Sequence, residues 1–191
     1  MPYLYLSDSV LFAQQMQEYQ CNIPILSGGG GATDPSYIEN AGDAAEYVLI
    51  NSSWFRCCYD GLTEKGQEMM VAYEEEFSEK YGVDYVMTEP FANGWMGAAV
   101  LVDALERCGT TETQALCDAI DSTSLKRGDD ALLFSLYDAI TFEDVDGMYN
   151  QNPYAGMMAV LVLNGELKAI YPLADGVENP IVWPIPAYNE R

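Results

Sequence analysis

The sequence contains no histidine, and its eight lysines and arginines stand against thirty aspartates and glutamates, a formal net charge of −22. The first absence removes the commonest general base and the commonest transition-metal ligand together. The second leaves a chain that repels phosphate backbones and anionic lipid surfaces, which excludes nucleic acid as a partner. Five cysteines, Cys21, Cys57, Cys58, Cys108 and Cys117, include no C-x-x-C spacing, so the usual zinc pattern is lacking. Their odd count argues against a fully paired disulfide framework, and adjacent Cys57 and Cys58 read as separate thiols rather than a strained bridge. There is no G-x-S-x-G elbow, no Gly-Lys-Ser/Thr loop and no G-x-G-x-x-G with a later acidic partner. We therefore expect no catalytic residue, no metal and no cofactor. The longest apolar run, Trp95 to Val102, falls far short of the roughly 18 residues of a membrane span. Met1-Pro2 leads straight into an apolar run without a basic n-region, so no secretory signal is expected within this chain.

What is present suits a globular fold. A chain of 191 residues, 49% apolar, can bury a core as one or two domains. Its organising stretch is Pro24 to Trp54. The apolar run Pro24-Ile25-Leu26 stops at Ser27, and four glycines, Gly28 to Gly31, form a loop at the strand's end. Asp34-Pro35 starts a short helix over Pro35 to Asn40, because the carboxylate can accept from orphan N–H groups and proline's φ suits a first helical position. Tyr47 to Ile50 reads as a strand buried on both faces, as in a parallel sheet. A glycine loop between a strand and a helix N-terminus is where α/β proteins hold ligands. Residues Gly28 to Thr33, with the Thr33 and Asp34 side chains, thus either face a small polar ligand or form an ordinary loop.

Before this stretch, Tyr3 to Leu6 reads as a strand and Ser9 to Tyr19 as a helix, so the opening predicts β-α-β-α-β with right-handed crossovers. After Trp54 the character changes. Lys65 to Tyr81 is an amphipathic helix carrying Met70, Tyr73, Phe77 and Tyr81 on one face and ended by Gly82. Asn93 to Cys108 is apolar nearly all round and is expected to be largely buried, and Thr111 to Gln114 fits a capping box before a helix at Ala115 to Ile120. Leu132 to Phe134 and Ala139 to Phe142 are strand candidates. Glu143 to Gly147 is read as a polar turn, because a calcium loop counted from Phe142 would end on Pro153 instead of glutamate. Ala159 to Leu163 and Leu167 to Tyr171, joined by Asn164-Gly165, predict a hairpin. From Pro172 the proline-rich tail reads as extended and surface-running.

Several of these segments together resemble one family. Asp8-Ser-Val-Leu-Phe12, the loop and helix Gly28-Gly-Gly-Gly-Ala-Thr-Asp-Pro-Ser-Tyr-Ile38, Gly42-Asp-Ala-Ala-Glu46 and Ala104-Leu-Glu-Arg-Cys-Gly109 are similar to the substrate-binding proteins of ABC importers of the branched-chain amino acid (Leu/Ile/Val-binding) type. Gly165-Glu-Leu-Lys168, Tyr171-Pro172 and Pro184 to Arg191 resemble that family's closing segment. The resemblance implies an α/β, type I periplasmic-binding-protein fold built of parallel-sheet units in two lobes that close on a small ligand. It also implies that the N-terminal half of such a protein is missing here. Residues 1–52 and 141–191 would belong to the C-terminal lobe and 53–140 to the helical layer of the N-terminal lobe.

The same resemblance implies an extracytoplasmic, non-enzymatic protein that takes an amino acid or similar small molecule and delivers it to an ABC permease. The family's acidic ligand for the amino group falls near Gly30, where this chain has no carboxylate; Asp34 is the candidate substitute. The family's frequent Tyr-Asp pair at the start of the long helix is here Trp95-Met96. Candidate ligand contacts are therefore Tyr5, Gly29, Gly30, Gly31, Thr33, Asp34 and Trp95, with aromatic walls attracting an ammonium and loop N–H groups orienting it. Core packing is the competing reading for Tyr5 and Trp95. Two other functions stay open: a ligand-sensing module of the same fold, and a truncated remnant whose exposed lobe surfaces are covered by self-association.

Overall fold

A computed structural model describes the chain except for residues 29, 56, 58–62, 131, 133–136 and 174–175. The chain divides into two compact units, Met1–Asp60 with Met157–Arg191, and Gly61–Gly156. The lobe bounds implied by the resemblance fall earlier, at 52/53 and 140/141.

In the first unit a four-stranded sheet runs in the order β1 (Leu26–Gly28), β2 (Leu49–Ser52), β7 (Met158–Leu163), β8 (Glu166–Tyr171). Strands β1 and β2 are parallel, with Leu26 opposite Leu49 and Gly28 opposite Asn51. The opening strands pair in parallel as expected, and the hairpin strand β7, antiparallel to both β2 and β8, makes the whole sheet mixed. The Asn164-Gly165 turn, both residues at positive φ (55° and 72°), folds β8 back on β7, and β7 pairs along the edge of β2 that β1 leaves free. Strand β2 is not buried on both faces: Ile50 and Ser52 are inside and Leu49 and Asn51 half-buried, because successive side chains of a strand point to opposite faces of the sheet.

The first expected strand does not form. Tyr3 makes a single parallel bridge to Gly28, and α1 (Leu6–Glu18) already begins at Leu6. Asp8 then sits in the first turn, where a carboxylate meets the positive end of the helix dipole. Likewise β1 runs through Ser27 and Gly28 instead of stopping before them, since Gly28 pairs with Asn51 and its N–H donates to the Pro2 carbonyl at 3.2 Å. The helix expected at Pro35 starts later, as α2 (Tyr37–Ala41), followed by a 3-10 turn at Gly42–Ala45. The Asp34 carboxylate is spent one step earlier, accepting from the Ser36 N–H at 2.9 Å and the Ser36 hydroxyl at 2.6 Å.

The core of this unit sits between α1, α2 and one sheet face: Ala13, Tyr37, Ala41, Ala44, Ala45, Val48, Ile50, Val160 and Val162 are all buried. Small alanines on the helices let the backbone approach the β-branched sheet surface closely. Burial pushes the Tyr37 phenol up to about 12, with the Tyr188 phenol adding to the shift. The tail is not simply surface-running. It ends in a 3-10 turn, Tyr188–Glu190, where Tyr188 is buried and its N–H donates to Asn22 Oδ1 at 2.8 Å. The Arg191 guanidinium stacks 3.8 Å from the Tyr188 ring and donates to the Glu46 carbonyl at 3.0 Å. The Glu46 carboxylate accepts from the N–H groups of Asn164 and Gly165, clamping the hairpin turn.

The second unit is helical with two small antiparallel pairs. Helix α3 (Glu64–Tyr81) is capped by Thr63, whose hydroxyl accepts from the Gly66 N–H, and ends on Gly82 in the left-handed region (φ 65°). Helix α4 (Glu89–Cys108) starts four residues before the expected Asn93, with Pro90 in its first turn, and ends on Gly109 at φ 62°. It is buried along one stripe, Ala92, Met96, Val100 and Ala104, while Phe91, Leu101 and Val102 are exposed, so it is not buried all round. Helix α5 (Thr113–Asp121) is capped by Glu112, not by the expected Thr111 box. The Glu112 carboxylate accepts from the Ala115 N–H, which holds it below the usual carboxylate range. Strands β3 (Ser124–Lys126) and β4 (Ala139–Thr141) pair, as do β5 (Glu143–Val145) and β6 (Met148–Gln151). The polar turn expected at Glu143–Gly147 is therefore the start of a second hairpin, turning on Asp146 and Gly147 at φ 51° and 81°. The candidate strand at Leu132 to Phe134 lies largely outside the described residues, as does Cys58 of the vicinal pair.

Candidate functional site

The glycine loop of the first unit is fixed by close backbone approach. A side chain at Gly31 would lie 2.4 Å from the Leu4 carbonyl oxygen, 2.7 Å from the Tyr5 carbonyl carbon and 2.2 Å from Ser9 Oγ. Only glycine lets the loop lie on the start of α1. Gly28 is equally enclosed, between Asn51 Oδ1 and the Tyr3 ring, each 2.8 Å from a notional Cβ. Gly30 is different: it is exposed, with open space around it. Gly29 lies outside the described residues.

The structure thus brings Gly31 and the Tyr5 backbone together. The Tyr5 ring, 82% exposed, stands in solvent beside them and does not pack in the core. Thr33 is half-buried, and Asp34 is half-buried in its turn to Ser36. Trp95 belongs to the second unit, where its ring meets Tyr73 edge-on at 5.4 Å.

Two residues of this neighbourhood escaped the sequence reading. Ser9 is 5% exposed, and its hydroxyl, like the buried Asn51 Oδ1, has no hydrogen-bond partner among the described residues. Both oxygens lie directly behind the loop glycines. A buried oxygen without a partner costs free energy. What could have found them is spacing: Ser9 sits one turn into α1, and Asn51 is the strand residue opposite Gly28.

In the second unit, α3 and α4 run antiparallel and share aromatic rings, with Tyr73 near Trp95 and Phe77 5.8 Å from Phe91. Beyond them Met69, Trp95, Ala98, Ala99 and Val102 line a groove of about 580 Å³ edged by Asp103, Glu106 and Asp130. On α4 the residues Phe91, Trp95, Ala98 and Val102 recur at steps of four, three and four, a helical stripe visible in the sequence once the helix start is known. Among the described residues no group of three or more His, Cys, Asp or Glu side chains is placed to hold a metal ion. No helix of the described chain is long and apolar enough to cross a membrane.

A mixed sheet under helices, joined to a helical unit, has known counterparts: the fold is that of the substrate-binding proteins with a type I periplasmic-binding-protein architecture. The leucine-binding protein LivK of Thermotoga maritima superposes on 86% of this chain and 41% of its own, with a TM-score of 0.62 at 21% identity. LivJ of Streptococcus pneumoniae, solved with isoleucine, covers 87% of this chain and 41% of its own at a TM-score of 0.61 and 14% identity. In sequence the chain resembles the Leu/Ile/Val-binding type in particular: the Leu/Ile/Val-binding protein homolog 7 of Brucella abortus (strain 2308) is 26% identical over 175 residues, 91% of this chain. The chain spans about 41% of the length of the curated relatives it matches. No protein-family model matches it.

Proposed function

We propose that the chain is part of an extracytoplasmic solute-binding protein of an ABC importer. It takes a branched-chain amino acid or a related small polar compound by lobe closure and presents it to a permease, without turnover. The observation that supports this reading is the resemblance to Leu/Ile/Val-binding proteins along 91% of the chain. We assign the first unit to the C-terminal lobe and the second to the N-terminal lobe. In the first unit the ligand contacts are Tyr5, the loop Gly29, Gly30 and Gly31, Thr33 and Asp34; Trp95 is the contact in the second. The exposed Tyr5 ring offers a face to an ammonium, the open Gly30 backbone offers an N–H, and the Ser9 hydroxyl behind the loop adds a polar anchor.

A thermal melt of the 191-residue chain with a panel of amino acids tests this. A ligand at a hundredfold excess over Kd stabilises by about 2.7 kcal/mol, several degrees for a domain of this size. A selective upward shift with leucine, isoleucine or valine is expected, and it should shrink in Tyr5→Ala. A cooperative melt that no amino acid moves would rule out a working site in this chain. It would favour the remnant reading, which predicts self-association in sedimentation as exposed apolar residues such as Tyr3, Val102 and Trp183 find cover.

A further inference from the structure

The groove between α3 and α4 has a chemistry of its own. Its floor is apolar, from Met69, Ala98, Ala99 and Val102, and its wall is the half-buried Trp95 indole. Its polar lining is entirely acidic: Asp103, Glu106 and Asp130, with no basic residue among them. Two of these carboxylates have cationic neighbours. Asp103 takes Arg107 at 2.8 Å, but that guanidinium also donates to the Ala119 carbonyl at 2.7 Å and the Ser122 hydroxyl at 3.0 Å, which turns it toward α5. Asp130 takes Lys65 at 3.1 Å in a pair whose side chains are 97% and 64% exposed, a geometry that holds little energy. Glu106 has no hydrogen bond or ion pair among the described residues.

We propose that this groove is a binding site for a small organic cation: a primary amine with an aromatic or branched apolar body and no carboxylate. The apolar body lies on Ala98, Ala99 and Val102, where small side chains leave room. The ammonium meets Glu106 and Asp103 at one end of the groove, and the apolar body extends along α4 toward the Trp95 indole, about two to three turns away at roughly 1.5 Å per residue. At about 580 Å³ the space is in the range of small-molecule sites. A free amino acid carries its carboxylate one bond from the carbon that bears the ammonium, so it would bring like charge against Asp103 and Glu106. The groove therefore separates amines from the amino acids that share their side chains. This inference does not rest on the solute-binding reading, with which it shares Trp95 and no other residue.

Phenethylamine and phenylalanine, which differ by that carboxylate alone, are the probes. Isothermal titration of the 191-residue chain at low salt, with tryptophan emission followed in parallel, should show saturable binding of phenethylamine and binding of phenylalanine at least about tenfold weaker. Val102 is 53% exposed, so Val102→Arg adds a cation to the groove without disturbing the core, and it should abolish amine binding. Glu106→Gln, at an exposed helix position, should weaken it several-fold and flatten its dependence on salt. Far-UV circular dichroism checks both variants, and if Val102→Arg misfolds, Glu106→Gln decides. The proposal is overturned if phenethylamine gives no saturable signal at millimolar concentration, if phenylalanine binds equally well, or if a folded variant binds unchanged. An amino-acid melting shift kept in Val102→Arg while amine binding is lost would show two independent sites; loss of the amino-acid shift alone would touch only the solute-binding reading.

Discussion

The two units of this chain hold themselves together by different means. The first packs β-branched strand residues against helix alanines, and Val48, Ile50, Val160 and Val162 are each no more than 1% exposed. The second leans on methionines and rings: Met70, Met87 and Met96 are buried, but Tyr73, Phe77, Tyr85 and Trp95 are only half so, and Phe91 is 41% exposed. A sheet surface is stiff and demands complementary shape, whereas methionines and stacked rings adapt to irregular gaps. Substitutions should therefore be costly and sharply position-dependent in the first unit, and milder in the second.

The largest effect is expected from Ile50→Ala, which empties a site that is 0% exposed at the centre of β2 and should cost about 3–4 kcal/mol in urea unfolding. Met70→Ala, at a site 1% exposed, is the matched probe in the second unit. A clearly smaller loss there would support the contrast, and an equal loss would erase it. Next comes the alkaline limb of stability. The Tyr37 phenol, pushed up to about 12 by burial, must stay neutral in the folded first unit. Its contribution is fully present below the ordinary tyrosine value near 10 and is lost as pH rises from there toward 12, roughly 2–3 kcal/mol in all. Tyr37→Phe should remove that decline, read from unfolding midpoints between pH 9 and 12. Smaller again is Gly31→Ala, at about 1–3 kcal/mol, because the added methyl meets backbone of residues 4 and 5; Gly30→Ala, in open space, should be near neutral and so isolates the close approach. The smallest is Thr63→Ala, about 1 kcal/mol, from loss of the α3 cap.

The sequence is most informative where a local signal is also the final structure. The Asn164-Gly165 hairpin and the glycine ends of α3 and α4 lie where turn and cap chemistry put them. The α/β class and the family resemblance follow from the same stretches. Less legible was anything decided between distant segments. Tyr3 to Leu6 has strand composition, yet Tyr3 makes one bridge to Gly28 and the helix takes Leu6. Strand β3 is three residues of ordinary polarity and exists because β4 lies opposite. The mixed sheet depends on which edge the late hairpin chooses, and no local pattern encodes that choice. At the candidate site, the glycine run and Asp34 stood out, but Ser9 and Asn51 are common residues that become notable only when burial leaves their oxygens without a partner among the described residues.

The first unit's sheet also fixes an order in time. Its two central strands come from opposite ends of the chain, Leu49 lying beside Leu161, with the whole second unit between them. On a ribosome, Val48 and Ile50 emerge long before the strand that covers them. The intervening helices, whose contacts are local, can form while that half-sheet waits with its apolar edge open. Strand β2 therefore gains its second neighbour only after β7 has been made, and during synthesis the sheet of the first unit closes after the helices of the second have emerged.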